Sequence, residues 1–97
     1  MEKVLLIGGA GFIGHNLALK LKKKKYKVYI VDFLKINNLK SINKVKPENK
    51  ILYKKILEER LKILKDHNIK LINFDCRDYK KVSKTVSKIK PNYIYHL

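Results

Sequence analysis

Gly8-Gly9-Ala10-Gly11-Phe12-Ile13-Gly14 is the stretch that decides the fold, read with what stands on either side of it. Before it, Lys3 to Ile7 is a short, nearly unbroken apolar run. That pattern suits a central parallel strand buried on both faces. After it, from Phe12 to about Lys24, Ile13, Leu17 and Leu21 recur at helical spacing with Ala18 beside them, so a helix presents one apolar face. The lysines at its far end, Lys22 to Lys25, favour the negative end of the helix dipole and read as a solvated helix end.

Working outward, Lys27 to Val31 reads as a second strand ending at Asp32. Phe33 to Pro47 has no clear period and is expected to be loop. A long helix is predicted from about Glu48 to Asp66, with Leu57, Leu61 and Leu64 on one face and Asn68 as its stop. Ile69 to Phe74 makes a third strand. Asp78 has the chemistry of an N-cap for a helix carrying Val82, Val86 and Ile89, which Pro91 closes. Asn92 to Leu97 reads as a fourth strand. The order β-α-β-α-β-α-β predicts an α/β fold with a parallel sheet and right-handed crossovers. In a Rossmann arrangement the four strands lie 3-2-1-4. Residues 1–97 are therefore expected to be one partial domain, the N-terminal half of a Rossmann fold, truncated after its fourth strand with that strand as an open edge.

The glycines fit Gly-x-Gly-x-x-Gly from Gly9 and Gly-x-x-Gly-x-x-Gly from Gly8. Either pattern alone is weak. Here a strand precedes it, a helix follows, and Asp32 stands 18 residues beyond Gly14 at the end of the next strand. That is the context of a dinucleotide-binding turn. Gly8 and Gly9 let the chain turn sharply, Gly11 leaves room for a pyrophosphate, and Gly14 lets helix and strand pack closely. The free N–H groups of the first helical turn, those of Phe12 and Ile13 among them, point at the phosphates. The Asp32 carboxylate is expected to accept the adenosine ribose hydroxyls. A carboxylate repels the 2′-phosphate of NADP, and Phe33 beside it is not basic. The expected cofactor is therefore NAD, although Lys35 stands near.

The net charge is +16, carried almost wholly by lysine, with Arg60 and Arg77 the only arginines. A basic chain can hold nucleic acid. Arginine, the residue of bidentate phosphate and base contacts, is nearly absent, so no specific nucleic-acid partner is expected. No apolar run approaches the ~20 residues of a membrane span. The opening Met1-Glu2-Lys3-Val4 has no signal-peptide character, and the expected location is cytoplasmic. Cys76 has no second cysteine to pair with and reads as a small buried side chain. His15, His67 and His96 have no metal-ligand spacing among themselves or with Cys76, and no metal site is expected.

Gly-Gly-Ala-Gly-Phe-Ile-Gly after an apolar strand resembles the extended short-chain dehydrogenase/reductase family, the NAD-dependent epimerase/dehydratase group acting on nucleotide sugars. Phe74-Asp75-Cys76-Arg77-Asp78 resembles that family's segment after the third strand, and Pro91 to Leu97 resembles its fourth strand. Glu59 to Leu64, followed by Asn68 and Phe74, looks like the second helix of UDP-glucuronate 4-epimerases, and equally like an ordinary amphipathic helix. The resemblance implies that Gly8, Gly9, Gly11, Phe12, Ile13 and Gly14 cradle the pyrophosphate and that Asp32 and Phe33 stand at the ribose. It implies that Asp75 bonds the adenine amino group with the Cys76 backbone beside it. Leu97 would open the loop under the cofactor. It also implies a nucleotide-sugar substrate and a homodimeric parent enzyme.

Catalysis in that family resembles proton transfer by a Tyr-x-x-x-Lys pair, in which the lysine lowers the tyrosine pKa. Tyr26, Tyr29, Tyr53, Tyr79 and Tyr93 are followed four residues on by Ile30, Phe33, Leu57, Ser83 and Leu97, and Tyr95 stands too near the end. No catalytic residue is expected in these 97 residues. The expectation is the NAD-binding portion of a nucleotide-sugar epimerase or dehydratase. The alternatives are a stand-alone NAD-binding module or a basic nucleic-acid-binding protein.

Overall fold

Apolar residues alternate between the two faces of the central strands, and that alternation sets the layers. A computed structural model describes residues 1–35 and 38–97. In strand β1, Lys3–Ile7, Val4 and Leu6 point to one face and Leu5 and Ile7 to the other. Strand β2, Lys27–Val31, repeats this with Val28 and Ile30 against Tyr29 and Val31. The first face is covered by helix α1, Phe12–Lys23, and helix α2, Pro47–Asp66, through Ala18, Leu17, Leu21, Leu61 and Leu64. The second face is covered by helix α3, Tyr79–Ile89, through Val82, Val86 and Ile89, together with Phe74. Burying a side chain such as Leu6 or Leu64 contributes about 1.5–3 kcal/mol.

Strand β3, Lys70–Ile72, pairs with β2, and strand β4, Tyr93–His96, pairs with β1. All pairings are parallel and the order is 3-2-1-4, as expected. The expected strands from Ile69 and from Asn92 are longer than those observed: Ile69 N–H is taken by the end of the preceding helix at the Leu64 carbonyl, and Asn92 and Leu97 each give β1 a single backbone bond, to the Lys3 and Ile7 carbonyls, at the ends of the pairing. Every residue of β4 is exposed, and among the described residues β4 is an edge strand paired with β1 alone.

Helix ends follow local chemistry. Asp78 caps α3, its carboxylate accepting from the Lys81 N–H at 3.2 Å. After α2, Asn68 takes a left-handed backbone (φ 58), with Asn68 N–H donating to Lys65 and Ile69 N–H to Leu64. This pair of hydrogen bonds terminates a helix through a left-handed residue. The expected loop from Phe33 to Pro47 holds a short 3-10 helix over Leu39–Lys44, and α2 begins one residue early, at Pro47. Proline at the first helical position has no N–H to leave unpaired. The 3-10 turn is closed by Ser41, whose N–H and hydroxyl both donate to the Asn38 carbonyl while the hydroxyl accepts from Asn38 N–H. Side-chain closure of this kind has no hydrophobic period to betray it. Positions 36–37 of the expected loop lie outside the described residues. Among the described residues no helix is long and apolar enough to cross a membrane.

Candidate functional site

The carboxyl ends of the strands meet at one edge of the sheet, where β1 lies between β2 and β4. The chains leaving β1 and β2 pass to the face covered by α1 and α2, whereas the chain leaving β3 passes to the face covered by α3. Ligands of open α/β sheets bind outside such carboxyl ends. The turn after β1 begins with Gly8 at φ 81, its N–H donating to the Val31 carbonyl at 2.7 Å. A Cβ on Gly8 would stand 2.9 Å from the Leu97 carbonyl oxygen. Gly9 turns against Leu6 and Ile30, where a Cβ would approach to 2.8 and 3.0 Å. Gly14, inside α1, lies so close to Gly9 that a Cβ would fall 2.5 Å from the Gly9 carbonyl oxygen. Gly11 differs from the rest: a Cβ there would meet nothing within 4 Å.

Gly11 is also the N-cap of α1, with no side-chain cap and no acid in the first turn. The first N–H groups of a helix have no intrahelical acceptor and carry the positive end of its dipole. Here they face open space rather than a capping oxygen. Phe12 and Ile13 flank them, 71% and 72% exposed.

Asp32 stands opposite, half-buried, at the end of β2. Its Oδ2 accepts from the Ala10 N–H at 2.9 Å and its Oδ1 from the Leu34 N–H at 2.7 Å. Leu34 holds a left-handed backbone (φ 60), strained for a residue with a branched side chain, and is buried. The Ala10 carbonyl in turn accepts from the buried Asn38 side chain at 2.9 Å and from Arg60 Nη1 at 3.5 Å. The glycine turn is thus tied to β2, to the 3-10 segment and to α2. Phe33 lies on the rim, with Lys40 Nζ 3.3 Å above its ring.

The third wall comes from the loop after β3. Asp75 accepts from Arg77 through its backbone N–H at 2.9 Å and its side chain at 2.6–3.1 Å. The Arg77 guanidinium and N–H hold the Asp75 carboxyl at about 2, below the ordinary 3.8, and the carboxylate raises Arg77 in return. Cys76 is exposed, not buried as expected. The sheet ends at Ile72, so Cys76 lies on a loop beyond the core.

These walls enclose a cleft of about 880 Å³. Its lining takes in each site residue expected from the sequence except Gly9, which packs beneath the turn. It also takes in residues the sequence reading passed over: Lys44, Tyr53, Arg60 and Arg77. One of these left a signal. Tyr53, Leu57, Arg60 and Leu64 fall three or four apart on α2, so Arg60 is a cation placed on the buried stripe of a helix.

The sequence profile described as GDP-mannose 4,6 dehydratase matches residues 5–97, nearly the whole chain. The chain belongs to the GDP-mannose 4,6 dehydratase family. This is a family of the NAD-dependent epimerase/dehydratase type, and it uses a nicotinamide dinucleotide. UDP-arabinose 4-epimerase 1 of Arabidopsis thaliana is similar, with 51% identity over 39 residues, which are 40% of this chain and 9% of that protein. The chain thus matches only a small part of that relative's length.

The residues present suit the family's cofactor. A pyrophosphate needs N–H donors and a place without side chains, and the open space at Gly11 before the uncapped α1 supplies both. The cleft volume lies within the ~300–1,000 Å³ of ligand pockets.

Proposed function

We propose that these residues are the NAD-binding portion of a nucleotide-sugar epimerase or dehydratase, holding the cofactor without themselves performing the proton transfer. The observation that carries this reading is the uncapped start of α1 at Gly11, open to the cleft, facing the Asp32 carboxylate at the end of β2. In this reading the N–H groups of Phe12 and Ile13 donate to the pyrophosphate. Asp32 has a second lone pair on each oxygen and accepts from the adenosine ribose hydroxyls. Asp75 accepts from the adenine amino group, with the Cys76 backbone beside it, and Leu97 floors the cleft beneath Gly8. Bound there, the nicotinamide supplies hydride transfer. Tyr26, Tyr29, Tyr53, Tyr79 and Tyr93 have no lysine four residues on, and the reading gives these residues binding and orientation only. In this reading the parent enzyme takes a nucleotide sugar and forms a homodimer, and no specific nucleic acid is assigned.

Isothermal titration with NAD tests the reading. Saturable binding is expected, and Asp32→Ala weakens it by about 1.5–3 kcal/mol, the contribution of a hydrogen bond to a charged group. An unchanged affinity removes Asp32 from the ribose. No saturable binding by the wild-type chain overturns the proposal.

A further inference from the structure

Helix α2 buries one apolar stripe and leaves another bare. Leu57, Leu61 and Leu64 pack inward, and Tyr53 and Arg60 turn to the cleft. Leu52 and Ile56, 63% and 49% exposed, and the half-buried Ile63 follow one another along a further face. Beside them runs a row of four exposed charges: Lys55, Glu59, Lys62 and Asp66. Lys55–Glu59 and Lys62–Asp66 have the i,i+4 spacing at which pairs close within a helix. Yet the ion pair on α2 is Lys54–Glu58, and among the described residues those four charges form none.

The row alternates plus, minus, plus, minus, so it is complementary to its own reverse. Turned antiparallel on a copy of itself, it sets Lys55 against Asp66 of the second copy and Glu59 against Lys62. A twofold axis level with the Arg60–Leu61 peptide repeats both pairs, as an isologous contact requires. The same axis brings Ile56 of each copy within a turn of Ile63 of the other. A parallel pairing in register would set like charge against like, which fixes the orientation. We propose that this face of α2 is a docking surface for the same face of a second copy of the chain. Copies carrying +16 repel one another at long range. The repulsion is least at α2, which holds half of the acidic residues: Glu48, Glu58, Glu59 and Asp66. One helix against one helix falls short of the ~1,200 Å² of stable interfaces, so the association is weak, with a Kd on the order of 0.1–1 mM.

Sedimentation equilibrium at about 0.15 M salt, where the screening length is about 8 Å, tests this. The wild-type chain is expected to pass reversibly from monomer to dimer as its concentration rises toward about 1 mM. Two charge-reversed variants carry the decisive comparison. Lys55→Glu/Lys62→Glu makes the row wholly acidic and Glu59→Lys/Asp66→Lys makes it wholly basic. Each alone should associate at least about tenfold more weakly than wild type, since every facing pair becomes repulsive. Mixed in equal amounts, the two should associate again, because every facing pair is then of opposite sign. That recovery also shows that both variants are folded. A wild-type chain monomeric throughout overturns the inference, and so does association that both variants leave unchanged. Variants that fail alone and also fail when mixed overturn the antiparallel pairing. None of the substituted side chains lines the cleft, so NAD titration of the same variants reports on the binding reading separately.

Discussion

Gly11 and Gly14 are three residues apart and alike on paper, yet their surroundings are opposite. Gly14 has no room for a methyl group against the Gly9 backbone, 2.5 Å from where it would sit. Gly14→Ala is expected to destabilise the chain by about 1–3 kcal/mol, as overpacking does, read as a lower denaturation midpoint. Gly11 has an ordinary φ of −79 and open space around it. Gly11→Ala should keep stability or raise it by about 0.4–1 kcal/mol through the unfolded state, while dinucleotide binding is lost. A variant equally able to bind NAD would mean that the phosphates do not pass Gly11. Across the cleft, Asp75 tests the pairing with Arg77. Its folded pKa is depressed, so the pair adds stability above the ordinary value near 3.8 and loses it as pH falls through about 2. Carboxyl NMR titration of Asp75 should show this low midpoint, and Arg77→Ala should return it toward 3.8.

At the scale of elements, each of the three α-helices ends through a residue in the left-handed region that is not glycine: Lys25 after α1, Asn68 after α2 and Lys90 at the end of α3. Asparagine tolerates this conformation better than lysine does. A left-handed non-glycine residue costs about 1–2 kcal/mol, part of which glycine gives back as chain entropy. Lys25→Gly is thus expected to raise the thermal midpoint by an amount worth a few tenths to about 1 kcal/mol. An unchanged or lower midpoint would mean that the Lys25 side chain contributes packing that the bond pattern does not reveal. Asp78→Ala should go the other way, costing about 1 kcal/mol by leaving the Lys81 N–H without its cap.

Over the whole molecule, the imbalance of charge governs how stability responds to salt. The chain has 24 basic against 8 acidic residues, and the ion pairs among the described residues are Lys54–Glu58 and Arg77–Asp75. Folding gathers unpaired lysines and raises their mutual repulsion. Going from about 0.01 M to about 0.15 M salt cuts the screening length from about 30 Å to about 8 Å, so the denaturation midpoint should rise across that range. A midpoint that falls with salt would show that attractive pairs outweigh the repulsion.

The order of elements, the parallel sheet and the place of the glycine turn were all legible in the sequence. Each rests on chemistry within a few residues: alternation in a strand, the helical stripe of Leu57, Leu61 and Leu64, the cap at Asp78 and the left-handed stop at Asn68. The 3-10 turn at Leu39–Lys44 was not legible, because a serine side chain closes it and no apolar period marks it. Only the tertiary structure brought Lys44, Tyr53, Arg60 and Arg77 to the same cleft as Asp32, and only it placed Cys76 outside the core. The reason is physical. Local conformation is set by near neighbours, whereas the field inside a cleft sums charges from segments that only packing brings together.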